Sequence, residues 1–365
     1  MPKPLEGIVV ADFTTLLPGP LATLMLAEAG AEVVKVERPG GEDVRRFPPY
    51  WAGQSAAFAF LNRGKKSLVA DLKVGGDKTR VLELIDRADV LVEQFRPGVM
   101  ERLGLGYQAV RKRNPRIVYC SITGYGQEGP RRNEAGHDIN YIGATGLLSL
   151  SPGSMERPTV PPALVADIGG GSFPATVNIL LALIGRQKSG EGAYLDIAMS
   201  DAMFTFAWLA LATRFATGKP VEADKLRHFG ASPRYQLYPT AGGKLVACGA
   251  LEQKFWESFC ATIQLPKEFV DDMRDPAATM EAVRAIISAE TADHWRPLFA
   301  KADCCVTIMA TIEEALHDRH FIERGLFDHK ISAPNGETMT ALPVPVVPAF
   351  RGDEKTRGFP PLEAK

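Results

Sequence analysis

Short β-branched runs at 8–11, 33–36, 68–70, 90–92 and 117–121 alternate with stretches such as 21–29 and 79–87, whose apolar residues recur every three or four positions. The runs have the length of single strands and the periodic stretches that of crossover helices, so the pattern predicts a parallel sheet covered by helices. In 79–87, Val81, Leu82, Leu84 and Ile85 share one face, and Gly75-Gly76-Asp77 supplies the lead-in. Two longer segments, 173–184 and 201–215, are apolar nearly all round, the second preceded by Ser200-Asp201. Helices of that kind are expected in a domain or subunit interface.

The pattern breaks at Gly218-Lys219-Pro220. Beyond it, 235–238 and 244–247 flank Thr240-Ala241-Gly242-Gly243, a strand, turn, strand signal, and helical stretches follow at 255–262, 279–290, 292–301 and 312–317. The tail turns β-like and Pro-rich around Leu342-Pro343-Val344-Pro345. The expected organisation is therefore an α/β large domain with a Rossmann-like parallel sheet over 1–218, a linker at 219–230, a smaller α+β domain over 231–325, and a C-terminal segment over 326–365.

Composition adds exclusions. The chain is 45% hydrophobic and 23% charged, the balance of a globular protein, and it has no uninterrupted apolar run of the length a bilayer requires. A formal net charge of -1 gives no general attraction for nucleic acid, so any anionic ligand needs a local cluster of cations. The first strand begins almost at once, which argues against a signal peptide, and the C-terminal residues are not a Ser-Lys-Leu address. Five irregularly spaced cysteines suit a reducing cytoplasm rather than a disulfide framework.

Candidate chemistry sits in Ala135-Gly136-His137-Asp138-Ile139-Asn140-Tyr141 and in Asp167-Ile168-Gly169-Gly170-Gly171. A histidine alone is usually structural, but His137 and Asp167 are two proton carriers in small-residue surroundings. A third ionisable group, Glu252, follows the strand-like Val246-Ala247-Cys248-Gly249 where a helix begins. The glycines 169–171 read either as a helix start whose N–H groups face a developing anion, or as tight packing. Gly124-Tyr125-Gly126-Gln127-Glu128-Gly129 fits G-x-G-x-x-G, yet Pro130-Arg131-Arg132 follows instead of an apolar helix, so it reads as a substrate-facing loop and not a dinucleotide site. His228, His294, His317, His320 and His329 form no ligand pattern, and no metal site is expected. Basic residues Arg38, Arg63, Lys65, Arg96 and Arg102 concentrate in the N-terminal third, Arg38 and Arg96 each just after a strand, where ligand crevices form.

The strings Leu17-Pro18-Gly19-Pro20, Gly30-Ala31-Glu32-Val33-Val34-Lys35-Val36-Glu37-Arg38-Pro39, Asn62-Arg63-Gly64-Lys65, Phe95-Arg96-Pro97-Gly98 and Glu101-Arg102-Leu103-Gly104 resemble family III of the CoA-transferases, and within it the alpha-methylacyl-CoA racemase branch. The resemblance implies that His137 and Asp167 are the two proton-transfer residues and that Glu252 supports the histidine. It also implies that Arg38 and Arg102 bind the nucleotide end of coenzyme A, with Asn62, Arg63, Lys65 and Arg96 nearby. The implied substrate is an acyl-CoA thioester, with no cofactor beyond its own coenzyme A. The implied assembly is an interlocked homodimer in which the tail returns to the large domain and Glu252 comes from the second subunit. In the transferase branch the aspartate instead attacks the thioester, and a histidine at 137 is not part of the usual pattern. Three classes of function follow: racemase or epimerase, CoA-transferase with Asp167 as nucleophile, and a CoA-binding protein without chemistry.

Overall fold

The computed structural model describes residues 3–151, 153–352 and 354–362. The chain forms two compact units, the first from Met1–Leu147, Pro161–Phe206 and Glu323–Lys365, the second from Leu148–Val160 and Ala207–Ile322. The sequence reading placed the first change at 219–230; in the structure that stretch lies inside the second unit. The reason is local. The apolar run 201–215 is not one helix but two, separated at Ala207, and the units part there.

In the first unit the elements run β1 (Val9–Phe13), α1 (Pro18–Glu28), β2 (Glu32–Glu37), a two-strand hairpin of β3 (Tyr50–Trp51) and β4 (Gln54–Ser55), α2 (Ala56–Asn62), β5 (Lys66–Val69), α3 (Gly75–Arg87) and β6 (Val90–Glu93). They continue with α4 (Val99–Arg102), α5 (Tyr107–Arg113), β7 (Val118–Thr123), α6 (Asp138–Ala144), α7 (Phe173–Ser189), β8 (Ala193–Ala198) and α8 (Met203–Phe206). Six strands pair in parallel in the order β5-β2-β1-β6-β7-β8. Alternation along β1 sends Ala11 and Phe13 against Val81, Leu84 and Ile85 of α3, while Asp12 meets Thr23 of α1 on the other face. Helices thus cover both faces. The chain builds outward from β1 through β2 to β5, then crosses back to β6, so the order reverses between β1 and β6 and opens a crevice at their C-terminal ends.

The glycine-rich segment differs from its expected form. Ala166–Ser172 is a π-helical stretch that runs straight into α7, so Gly169, Gly170 and Gly171 lie inside a helix and not in a turn before one. Packing explains the residue type: a Cβ on Gly170 would stand 2.3 Å from the Met199 carbonyl oxygen, and one on Gly171 2.8 Å from Pro18 Cβ. The continuous helix Ala166–Ser189 has the length and composition to cross a membrane, an exception to the expectation that no segment does. It buries Ala175, Ile179 and Leu183 but exposes Phe173, Val177, Leu181 and Ile184.

From Glu323 onward the chain belongs to the first unit, where β12 (Lys330–Ser332) lies between β13 (Thr338–Thr340) and β14 (Thr356–Gly358) and packs Ile331 and Phe359 with Phe58 of α2. The second unit holds α9 (Trp208–Thr217) and an antiparallel sheet of β9 (Gln236–Pro239), β10 (Leu245–Cys248) and β11 (Val306–Ile308). Helices α10 (Gln253–Thr262), α11 (Pro276–Ala289) and α12 (Ala292–Ala302) pack around Trp256, Phe259, Trp295 and Phe299. Both buried indoles are satisfied, Trp256 donating to the Val270 carbonyl and Trp295 to that of Ile287. This is the small α+β fold the pattern predicts.

Candidate active site

The crevice at the strand-order reversal contains a cavity of about 510 Å³. Leu16 and Pro18 line it from the segment after β1, Gln94 to Pro97 from that after β6, and Thr123 to Tyr125 from that after β7. His137, Asn140, Tyr141 and Asp167 also line it, together with Arg132, Glu134 and Met199. His137 and Asp167, separated in sequence by α6 and a loop, therefore face one cavity.

One carboxylate accounts for their meeting. Asp138 is buried, and its Oδ1 accepts from the backbone N–H of Ala166 at 2.6 Å and of Asp167 at 2.9 Å, so the residue after His137 holds the segment that bears Asp167. His137 precedes α6 in extended conformation, its N–H donating to Asn140 Oδ1 at 2.9 Å. Burial and the neighbouring Asp138 charge push the Asp167 carboxyl up to about 6, with His137 pulling the other way. Tyr141 donates to the Gly136 carbonyl at 2.6 Å, and its phenol is pushed up to about 12 by burial and by Asp167, so it stays a neutral donor.

The same contacts correct the expectation of free backbone donors in the glycine segment. The amides of Ala166 and Asp167 are taken by Asp138 and that of Ile168 by the Leu164 carbonyl at 3.1 Å, so the glycine segment does not present an open first turn to an oxyanion. The glycine pattern at 124–129 makes room for a ring: a Cβ on Gly124 would stand 2.3 Å from Tyr141 Cε1. Thr123, Gly124 and Tyr125 do line the cavity, as a substrate-facing loop should.

The basic residues separate into two groups. Arg96 is exposed and lines the cavity, as does Arg132. Arg38 is exposed beyond β2, where it pairs with Asp43 at 2.5 Å, and Arg102 is exposed on α4. The expectation that Asn62, Arg63 and Lys65 meet a nucleotide is corrected by their burial. Lys65 pairs with Asp12 at 3.1 Å and donates to Pro20 O, Thr23 Oγ1 and Asn62 Oδ1. Arg63 pairs with Glu28 at 2.8 Å and donates to the Phe60 and Leu342 carbonyls, and Asn62 donates to the Phe58 carbonyl. Side chains so enclosed reach a ligand only by giving up these bonds. Glu252 lies in the second unit, exposed, at the N-cap of α10.

Gln94, Asp138, Tyr141 and Arg132 belong to the site and were not singled out by sequence. Asp138 and Tyr141 stood in the His137 motif, but only burial and the partner 28 residues away mark Asp138 as structural support. Gln94 follows a strand just as Arg96 does, and its Oε1 accepts from the Gly19 N–H at 3.0 Å.

A chemically coherent set results: a carboxyl poised near neutrality, an imidazole in the same cavity, a neutral phenol, and exposed guanidinium groups. Comparison with known proteins agrees with the fold and shows the family. The model of the family described as CoA-transferase family III matches residues 5–362. The chain is 34% identical over 359 residues to alpha-methylacyl-CoA racemase of Homo sapiens, covering 96% of this chain and 89% of that protein. It is 35% identical over 322 residues to acetyl-CoA:oxalate CoA-transferase of Acetobacter aceti, covering 86% and 82%. Among solved structures, Rv3272 from M. tuberculosis superimposes with a TM-score of 0.83 at 28% identity, covering 98% of this chain and 96% of that one. The chain belongs to CoA-transferase family III.

Proposed function

We propose that this protein is an acyl-CoA racemase or epimerase that inverts the α-carbon of a 2-methyl-branched acyl-CoA. The observation that supports this most is that His137 and Asp167 line one cavity, with Asp167 raised to about 6. Inversion needs a base on one face of the α-carbon and an acid on the other. In one direction the Asp167 carboxylate takes the α-proton, the C–H electron pair moves into an enolate on the thioester oxygen, and the His137 imidazolium delivers a proton to the opposite face. In the reverse direction neutral His137 is the base and protonated Asp167 the acid. The cationic Arg96 in the cavity wall supplies positive potential as enolate charge develops. Coenzyme A enters as part of the substrate, with no further cofactor, and Arg38, Arg96 and Arg102 are the exposed cations suited to its phosphates. The same reading has two copies associate through apolar faces such as that of α7, Glu252 of one fixing the tautomer of His137 in the other.

The test is exchange of the α-proton of a 2-methylacyl-CoA with deuterium oxide, followed by mass spectrometry and chiral analysis. Solvent deuterium should appear at the α-carbon together with loss of optical purity, with no acyl-enzyme trapped by hydroxylamine. The alternative, a CoA-transferase in which Asp167 attacks the thioester carbonyl and expels the CoA thiolate, is favoured by the transferase relative of similar identity. It requires a trapped species at Asp167 and dependence on a carboxylate acceptor, and that result would overturn the racemase reading.

A pH dependence follows. In the direction that uses the Asp167 carboxylate as base, activity falls as the pH drops through about 6, not near the ordinary aspartate value of 3.8. Asp138→Asn removes the negative charge that opposes ionisation of Asp167, so the acid limb of kcat/KM moves to lower pH. A limb unmoved by this substitution argues against Asp167 as the titrating group.

A further inference from the structure

A buried ion pair next to the cavity has no part in the mechanism above. Leu16 lines the cavity with 38% of its surface exposed, and its backbone lies in the left-handed region at φ 60°. A leucine rarely adopts that conformation, because its Cβ crowds the backbone, so surrounding structure must hold it. The hold is visible. The Leu16 N–H donates to Glu42 Oε2 at 3.1 Å, and Lys35 Nζ lies 3.0 Å from the other carboxylate oxygen while donating to the Thr14 carbonyl at 2.6 Å. The side chains of Lys35 and Glu42 are 0% and 2% exposed, and the Glu42 N–H is itself fixed by Glu37 Oε2 at 3.1 Å. The rest of the segment is fastened at its far end, where the Gly19 N–H donates to Gln94 Oε1 and Ser172 Oγ donates to the Pro18 carbonyl. Among the described residues between these points, Leu16 is the one whose N–H the carboxylate of Glu42 holds.

We propose that the Lys35–Glu42 pair is a positioning device for substrate recognition: it holds Leu16 left-handed, so that its aliphatic side chain forms an apolar wall of the cavity against the acyl-pantetheine arm of the ligand. This rests on the acyl-CoA reading, and its test uses binding, not turnover. The probe is a CoA thioether bearing a branched alkyl chain, titrated by calorimetry, with thermal melting of every variant. Leu16→Gly, which adopts the same backbone freely but has no side chain, should weaken binding about tenfold, the scale of one buried aliphatic group. Glu42→Asp keeps the charge beside Lys35 but is one methylene too short to serve both Lys35 and the Leu16 N–H; it should weaken binding severalfold. In a Leu16→Gly background the same substitution should cost no further affinity, although its effect on melting persists.

That split is what a merely structural role would not produce. Losses in affinity that multiply in the double variant, or an unchanged affinity for Glu42→Asp with Leu16 in place, overturn the proposal. Should Glu42→Asp fold poorly, Glu42→Gln gives the same comparison: without the ion pair to Lys35 its amide is no longer fixed on the Leu16 N–H, so binding should weaken severalfold with Leu16 in place and no further in Leu16→Gly, and parent-like affinity or losses that multiply sink the idea. If the parent protein binds the thioether but shows no α-proton exchange, the racemase reading fails while this inference stays under test.

Discussion

Asp167→Asn abolishes racemisation in both stereochemical directions, a loss of about 10²–10⁴-fold, without lowering the melting temperature. An amide can neither take nor give the proton, and each direction uses the group in one of those roles. Stability behaves differently because the folded carboxyl sits above its ordinary value. A raised acid is penalised when ionised, so the native state loses stability relative to the unfolded chain as the pH rises from about 4 to about 6, and a neutral amide escapes that cost. The variant should therefore melt at or above the parent at pH 7.5. His137→Gln completes the argument: it removes racemisation as fully, whereas a transferase acting only through an Asp167 nucleophile would keep most of its rate. Chiral analysis of the product decides this, and racemisation at more than a tenth of the parental rate in Asp167→Asn excludes it as a proton carrier.

Lys65→Ala is expected to destabilise the first unit by about 3–5 kcal/mol, the usual cost of removing one member of a buried ion pair. It strands Asp12, which is buried and whose carboxyl, despite burial, is held down to about 2 by Lys65, Lys35 and the hydroxyls of Thr14 and Thr23. Because its folded value is depressed, Asp12 adds stability at pH above about 4 and loses it as the pH falls toward 2. Exchanging both partners, Asp12→Asn with Lys65→Met, should recover much of the loss, as neutral replacements of buried pairs often do. Denaturant unfolding and CoA titration separate this from ligand binding. A Lys65→Ala protein with unchanged unfolding and lost CoA affinity would return the lysine to the nucleotide site.

The contrast between Lys65 and Arg96 shows where sequence reading reached its limit. The apolar runs located the main strands, and the spacing of Val81, Leu84 and Ile85 located α3, because burial of a face leaves a period in the sequence. A lysine that caps a buried carboxylate leaves no such mark: its letter is the same whether it faces water or Asp12. Only the contacts tell the two apart. Likewise the glycines 169–171 could have opened a turn or allowed close packing, and the Met199 carbonyl and Pro18, distant in sequence, settle it for packing. His137 and Asp167 were legible as candidates; that they share a cavity depended on Asp138, whose partners no local pattern names.

The bonds from Asp138 to the amides of Ala166 and Asp167 also fix a length scale. One carboxylate, covalently next to the imidazole-bearing residue, grips the peptide of the carboxyl-bearing one, so the gap in which an α-carbon would sit is gauged by a single side chain within one unit.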